Sequence, residues 1–417
     1  MVFNRLETKT LDARYKLVID RYAMLSAEDK AKFDDLKEQY FEELRKKDEE
    51  AAAQMKKEEQ AGQQRQKELA DKINRQKNLL KKDLENLPID EMPDCVEKYQ
   101  KIIKEYTGGK KYEDAKFPAN ETVLGEQLRD YVTEWKRPEG LTVFGEGFNP
   151  IDPRQGAIGD CYFISAMTVA GKQHIEGVMM VNKLEQRPET GAFIVTFYFE
   201  GEPIEVIVDD RFPVDATGEY AFCKSETGTK LWPMIIEKAY AKLHGGYNKI
   251  IGGKVNYALS DLTDGYPEEI KLSVAQKNLD SLWETLMSYT KQGYLLGAGS
   301  PENPMGDAAI SPEGIIQGHA YAILDVKEFE GERLLQLRNP HGNGGAEWNG
   351  DWSDGSYKWT EKARKVLNAE AKEDGVFWMS LEDFAYEFKS VYICRIFDPK
   401  IWKTCPQIEV TLNILFF

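Results

Sequence analysis

Leu11, Tyr15, Val18, Tyr22 and Leu25 recur at alternating spacings of four and three residues, which lays one apolar stripe along a helix. Ser26 followed by Ala-Glu-Asp predicts an N-cap with acidic residues in the first turn. A second helix then carries Phe33, Leu36, Tyr40 and Leu44 on one face. From Lys46 to Lys77 apolar residues almost vanish, leaving Glu, Lys, Gln, Arg and Ala, the pattern of a solvated or frayed helix. Three sustained heptads are absent, so this arm is only partly coiled-coil-like. Self-association or partner binding through it stands beside the reading of a plain spacer. Pro88 and Pro93 end it, and residues 1–95 are expected to form a charged helical extension.

From about Tyr99 the pattern changes to shorter runs punctuated by Gly and Pro. FIVTFYFEGEPIEVIVDDRFPV predicts two strands around the turn Glu200-Gly201-Glu202-Pro203. Leu231 to Leu243 reads as a buried helix stopped by Gly245-Gly246, and Leu279 to Lys291 as a further helix. Strands follow at YLLGAG, HAYAILDVKEF, RLLQLRNP and VYICRIF. A helical first half followed by a strand-rich second half implies an α+β fold of two lobes meeting at a cleft. The expected boundaries are 96–265 for the first lobe, 266–397 for the second and 398–417 for a short tail.

Length and composition narrow the function. A chain of 417 residues exceeds what one core usually holds. The net charge of −16 argues against a nucleic-acid surface, which needs clustered Lys and Arg. Residues 1–90 carry 20 basic and 20 acidic side chains, so the whole excess lies beyond them. No apolar run is long enough for a signal peptide or a membrane helix. Five scattered cysteines without a CxxC pair fit a reduced, cytoplasmic protein and argue against Cys/His metal ligation.

One cysteine stands in a setting that favours chemistry. Cys161 follows the turn Gly159-Asp160 and opens an apolar run of helical spacing in QGAIGDCYFISAMTVAG. A thiol at a helix N-terminus is favoured as thiolate by the dipole. Gln155, six residues upstream, carries an amide able to join the Cys161 N–H in an oxyanion hole. Most free cysteines are inert core residues, and Cys95, Cys223, Cys394 and Cys405 read that way, Cys223 and Cys394 in strand-like surroundings. His319, after Gly318 at a strand start, and Asn339, in RNPHG at a strand end, complete a nucleophile, base and orienting group. That order along the chain is papain-like.

Residues 115–397 resemble the calpain protease core. WKRP (Trp135 to Pro138), QGAIGDCYF, VDDRFPV, EKAYAKLHGGY, GHAY, RNPHG, EWNGDWSD and DGVFWMS are similar to calpain blocks, in the family's order. The resemblance implies a papain-like two-lobed fold, a catalytic triad of Cys161, His319 and Asn339, and Gln155 at the oxyanion hole. It implies limited cleavage of intracellular protein substrates. It does not reach residues 1–90, and the chain has neither an EF-hand loop nor room for a lipid-binding β-sandwich.

The resemblance also implies calcium in each lobe, and here the chain departs from the family. Asp152 matches a first-lobe ligand, with backbone ligands at Gly145 and Gly147, but the glutamate position is Lys230. Glu347, Asp354 and Asp374 match second-lobe carboxylates, Lys372 offers only its carbonyl, and a further glutamate position is Val376. Calcium takes six to eight oxygens, so both sites read as weakened. The family's inter-lobe ion pair falls on Pro150 and Val376, and a shielding tryptophan falls on His341. A smaller His341 leaves the His–Asn pair more solvated, or removes a wedge between the lobes. Three functions follow: a cysteine endopeptidase, a weak or inactive scaffold acting through its helical arm, and, a distant third, a transglutaminase, which needs Asp where Asn339 stands.

Overall fold

The Cys161–Gln173 helix is apolar all round, and from Tyr162 to Gly171 every residue is buried. A helix with no polar face has to lie inside its domain. This one packs against the Val255–Thr263 helix on one side and the large sheet on the other. The computed structural model describes residues 26–32, 35, 95–106, 109–145, 147–173, 184–199, 201–305 and 309–397. The chain divides into two compact units, Met1–Glu85 and Asn86–Phe417.

In the first unit residues 27–32 are helical. Ser26 is the expected cap: its Oγ accepts the Asp29 N–H at 3.2 Å. The rest of the helical arm, its coiled-coil character and the whole 398–417 tail with Cys405 lie outside the described residues.

The described part of the second unit opens with the Cys95–Glu105 helix, which Cys95 begins. Its strands, in chain order, are β1 (Glu134–Lys136), β2 (Pro153–Arg154), β3 (Leu184–Arg187), β4 (Ala192–Phe199), β5 (Glu202–Asp209), β6 (Phe212–Val214) and β7 (Lys224–Ser225). There follow β8 (Tyr266–Lys271), β9 (Leu295–Gly299), β10 (Ala320–Phe329), β11 (Glu332–Arg338), β12 (Val376–Ser380) and β13 (Ser390–Arg395). The first half is mixed rather than helical, with a β3-β4-β5 sheet and the ribbons β1-β6 and β2-β7. The second half is one antiparallel sheet, ordered β12-β11-β10-β9-β13-β8. The Leu231, Leu279 and β9–β11 readings fall within a residue or two of these elements. Among the elements not read were β3, the Val255–Thr263 helix, and β8 and β12, where Glu268, Glu269 and Trp378 blur the alternation.

Two motif blocks explain each other in the core. Lys238, from EKAYAKL, is buried and donates to Asp209 of VDDRFPV at 2.5 Å and to the Arg211 carbonyl at 2.6 Å. Burial pushes the Asp209 carboxyl up, yet Lys238, Arg211 and the Asp114 N–H outweigh it and hold it at about 2. A buried charge is tolerated only when its partners are supplied in this way. The main hydrophobic core runs from Phe117 to Leu262 and takes in Leu295, Ala320, Ala322, Leu324 and Cys394 from the sheet. The two halves therefore share apolar packing under the site.

Candidate active site

Asp160 ends the loop before the Cys161–Gln173 helix, and its carbonyl accepts the N–H groups of Phe163 and Ile164 at 2.8 and 3.1 Å. Cys161 is therefore the first residue of the helix, half-buried, while Cys223 and Cys394 are buried. Cys223 lies in the loop before β7, not in a strand. Burial, with Glu237, Asp160 and Asp152 beside it, pushes the Cys223 thiol well up, and burial raises Cys394 to about 12, so neither is poised as a thiolate. One turn into the helix, Ser165 Oγ donates to the Ala320 carbonyl at 3.2 Å. That bond fixes the Cys161 helix against the head of β10, which His319 immediately precedes. Tyr392 of β13 lies on the same side: burial first, and Cys161 among lesser causes, push its phenol up.

His319 is 2% exposed. Its Nε2 meets Asn339 Oδ1 at 3.1 Å. Asn339 Nδ2 donates to the Ala346 carbonyl at 2.7 Å, and Asn339 Oδ1 also accepts the His341 N–H at 3.1 Å. These bonds orient the amide, so Oδ1 is the acceptor and His319 Nε2 carries the proton. The other ring nitrogen, Nδ1, is then the basic one. Asn339 is held by a tight turn, with the Gly342 N–H on its carbonyl at 3.0 Å. Gly342 has φ +60°, a left-handed conformation in which a side chain is strained, so the turn favours glycine.

His341 stacks on His319, with centroids 4.7 Å apart and planes 12° from parallel. The expectation of a more solvated His–Asn pair is thereby corrected, because one imidazole covers the other. Burial, then the charge of His341, push His319 down to about 3 against the opposing bond from Asn339. The imidazole is neutral at neutral pH.

Gln155 is buried, and its N–H donates to the Pro340 carbonyl at 2.9 Å, joining the loop before Cys161 to the turn after Asn339. Its Nε2 donates to the Ile158 carbonyl at 2.8 Å, leaving the second amide hydrogen for a ligand.

Two features escaped the sequence reading. Arg338, just before Asn339, is buried and donates to the Pro153 carbonyl at 2.9 Å and Thr168 Oγ1 at 3.2 Å. It also lies 3.7 Å from Glu226. A clasp between the halves thus exists, although the positions expected to form one are Pro150 and Val376. Its signal was a charged residue closing an apolar strand at the very residue before Asn339.

The second feature is a buried acid pair. Asp160 and Glu237 are buried beside each other, and Glu237 accepts the Cys223 N–H at 2.8 Å. Burial pushes Asp160 up to about 7 and Glu237 well above its usual range, with mutual repulsion adding to the latter. Burial of two adjacent acids favours keeping one of them protonated, which limits negative charge beside Cys161. Folded values above unfolded ones mean stability complete below the ordinary Asp value of 3.8 and lost as pH rises through about 7. Thermal melts should therefore fall from mildly acidic to alkaline pH in the parent, and Glu237→Gln should flatten that slope. An unchanged slope would contradict the pair.

The calcium expectation meets a mixed set of donors. Asp152 is buried and accepts from Ser225 Oγ at 2.9 Å, while its Oδ2 has no partner among the described residues. Lys230, however, runs past Gly145, its Cε 3.3 Å from where a β-carbon would stand. An ammonium stem beside a backbone ligand, where a carboxylate is needed, does not fit calcium. In the second half Glu347 accepts the Gly375 N–H at 2.6 Å, Asp354 the Lys372 N–H at 2.7 Å and Asp374 the Val376 N–H at 3.0 Å. Burial, with Asp354 and Asp374 adding, raises Glu347 to about 7. Among the described residues no three His, Cys, Asp or Glu side chains converge as a metal site. The first set, with Lys230 in it, does not fit calcium, whereas Glu347, Asp354 and Asp374 bring three carboxylates near one another.

Residues 112–395 match the family described as calpain family cysteine protease. The chain belongs to the calpain family. The calpain-type cysteine protease DEK1 of Arabidopsis thaliana is 39% identical over 311 residues, which is 70% of this chain and 14% of that protein. Calpain-A of Drosophila melanogaster is 34% identical over 321 residues, 72% of this chain and 38% of that protein. Calpain-14 of Homo sapiens is 33% identical over 301 residues, 68% and 43% respectively. The chain thus spans well under half the length of these calpains. No helix among the described residues is long and apolar enough to cross a membrane.

Proposed function

We propose that this calpain-family chain is an endopeptidase making limited cuts in proteins, with Cys161 as nucleophile, His319 as base and acid, and Asn339 as the residue orienting it. The observation that carries the reading is the His319–Asn339 bond of 3.1 Å at the head of the strand on which the Cys161 helix is fixed. The Cys161 thiol proton passes to His319 Nδ1 as sulfur attacks the scissile carbonyl. Gln155 Nε2 and the Cys161 N–H stabilise the oxyanion. The carbon–nitrogen bond breaks, the amine takes the proton from His319, and the thioester remains. His319 then deprotonates water, which releases the acid and regenerates the thiol. The two lobes divide near Gly265, the first carrying Cys161 and the second His319 and Asn339.

No step needs calcium. The Arg338 clasp and the Gln155–Pro340 bond hold the halves with protein groups, and Lys230 opposes a cation in the first. Casein digestion under thiol reductant tests the reading, in calcium and in chelator. Cleavage is expected in both conditions, within about 2-fold. Cleavage in calcium alone would overturn calcium independence, and none in either would overturn the peptidase.

A further inference from the structure

A pocket of about 300 Å³ opens beside the site, lined by Arg154, Gln155, Ile310, Ile316, His341 and the 343–346 turn. Its place relative to the chemistry follows from its walls. Gln155 is the proposed oxyanion donor, and His341 is stacked on His319. The departing amine takes its proton from His319, so the leaving-group side of a substrate lies along the residues that adjoin His319 and follow Asn339. The pocket is on that side.

Arg154 is the one charged residue among the described residues lining it. Arg154 sits in β2, directly opposite Lys224 of β7. Like charges facing each other across an antiparallel pair are unfavourable unless an anion relieves them. Among the described residues nothing internal does so for Arg154, whose guanidinium makes no ion pair or side-chain hydrogen bond there. The neighbouring carboxylate, Glu226, is engaged by Arg338 and by the Asn343 N–H at 3.1 Å. Exposed Asp215 is drawn down by Thr217 and, more weakly, by Lys224, not by Arg154.

We propose that Arg154 is a specificity-determining residue that selects an acidic side chain in the first two positions on the leaving-group side of the cleaved bond. The assignment rests on the peptidase reading above. A guanidinium fork matches a carboxylate through two parallel N–H···O bonds, and the half-buried setting strengthens them over a solvent-exposed pair. The chain as a whole carries −16 and repels acidic peptides, so a preference for them has to be local to this pocket.

The test uses quenched-fluorescence peptides with one cleavable bond, differing only in Glu, Gln or Lys at those two positions, with kcat/KM as the readout. The parent enzyme is expected to favour Glu over Lys by roughly 10-fold, the scale of one charge-assisted contact. In Arg154→Gln that ratio should fall to about 1, and in Arg154→Glu it should invert. Each ratio is taken within one variant, so a change in overall activity cancels. Equal cleavage of Glu and Lys peptides by the parent, or a ratio that survives in Arg154→Gln, would overturn the role of Arg154 while leaving the peptidase intact. An equal Arg154-dependent shift for Glu placed on the acyl side would also overturn it, as the sign of a general field. If the parent cleaves neither these peptides nor casein, the peptidase reading fails and the assignment with it.

Discussion

Cys161→Ala and His319→Ala are each expected to abolish casein cleavage, a fall on the order of 10⁶-fold. Without Cys161 no thioester forms, and the oxyanion donors alone leave only residual rate. Without His319 the thiol keeps its proton at neutral pH and the departing amine receives none. Asn339→Ala should cost less than either, because Asn339 acts through the 3.1 Å bond to His319 Nε2 and stacked His341 still limits the ring's motion. Initial rates with matched thermal melts check the order. Full activity in His319→Ala, or a loss in Asn339→Ala larger than in Cys161→Ala, would contradict these roles.

The second large effect concerns stability. Arg338→Met is expected to destabilise the protein by about 2–4 kcal/mol and to lower casein turnover with it. Met fills much of the arginine volume, so the loss reports polar contacts rather than a cavity. The variant loses the bonds to the Pro153 carbonyl at 2.9 Å and Thr168 Oγ1 at 3.2 Å and leaves Glu226 without its cation. Burial already pulls the Arg338 guanidinium down to about 10, which marks how strongly the site disfavours charge and how much its partners supply. Adding Glu226→Gln to Arg338→Met should recover part of the loss, since the stranded carboxylate is then neutral. A melt unchanged in Arg338→Met would remove the clasp from the account.

The site was legible in the sequence where chemistry and local structure coincide. Cys161 after Gly159-Asp160 announces a thiol at a helix start, and His319 and Asn339 lie at strand ends marked by Gly318, Pro340 and Gly342. What was hidden depends on pairs far apart in the chain. Glu237 reads as one more polar residue in LWPMIIEKAYAKL, and only the fold buries it beside Asp160. Arg338 reads as the end of β11, and only the fold sets it on Pro153 and Thr168. His341 was legible as a departure from the family, but its stacking on His319 is a matter of ring geometry that spacing does not encode. In the fold, long amphipathic or wholly apolar runs were readable, whereas β8 and β12 carry charged or aromatic residues that break the alternation.

The most direct test of the central claim is covalent labelling of the whole protein with a peptide chloromethyl ketone, followed by intact mass and peptide mapping. The expected result is one adduct, on Cys161, with Cys95, Cys223, Cys394 and Cys405 unmodified and the label lost in His319→Ala. Labelling spread equally over the five cysteines, or no adduct on Cys161 in folded protein, would contradict an activated thiol at this site.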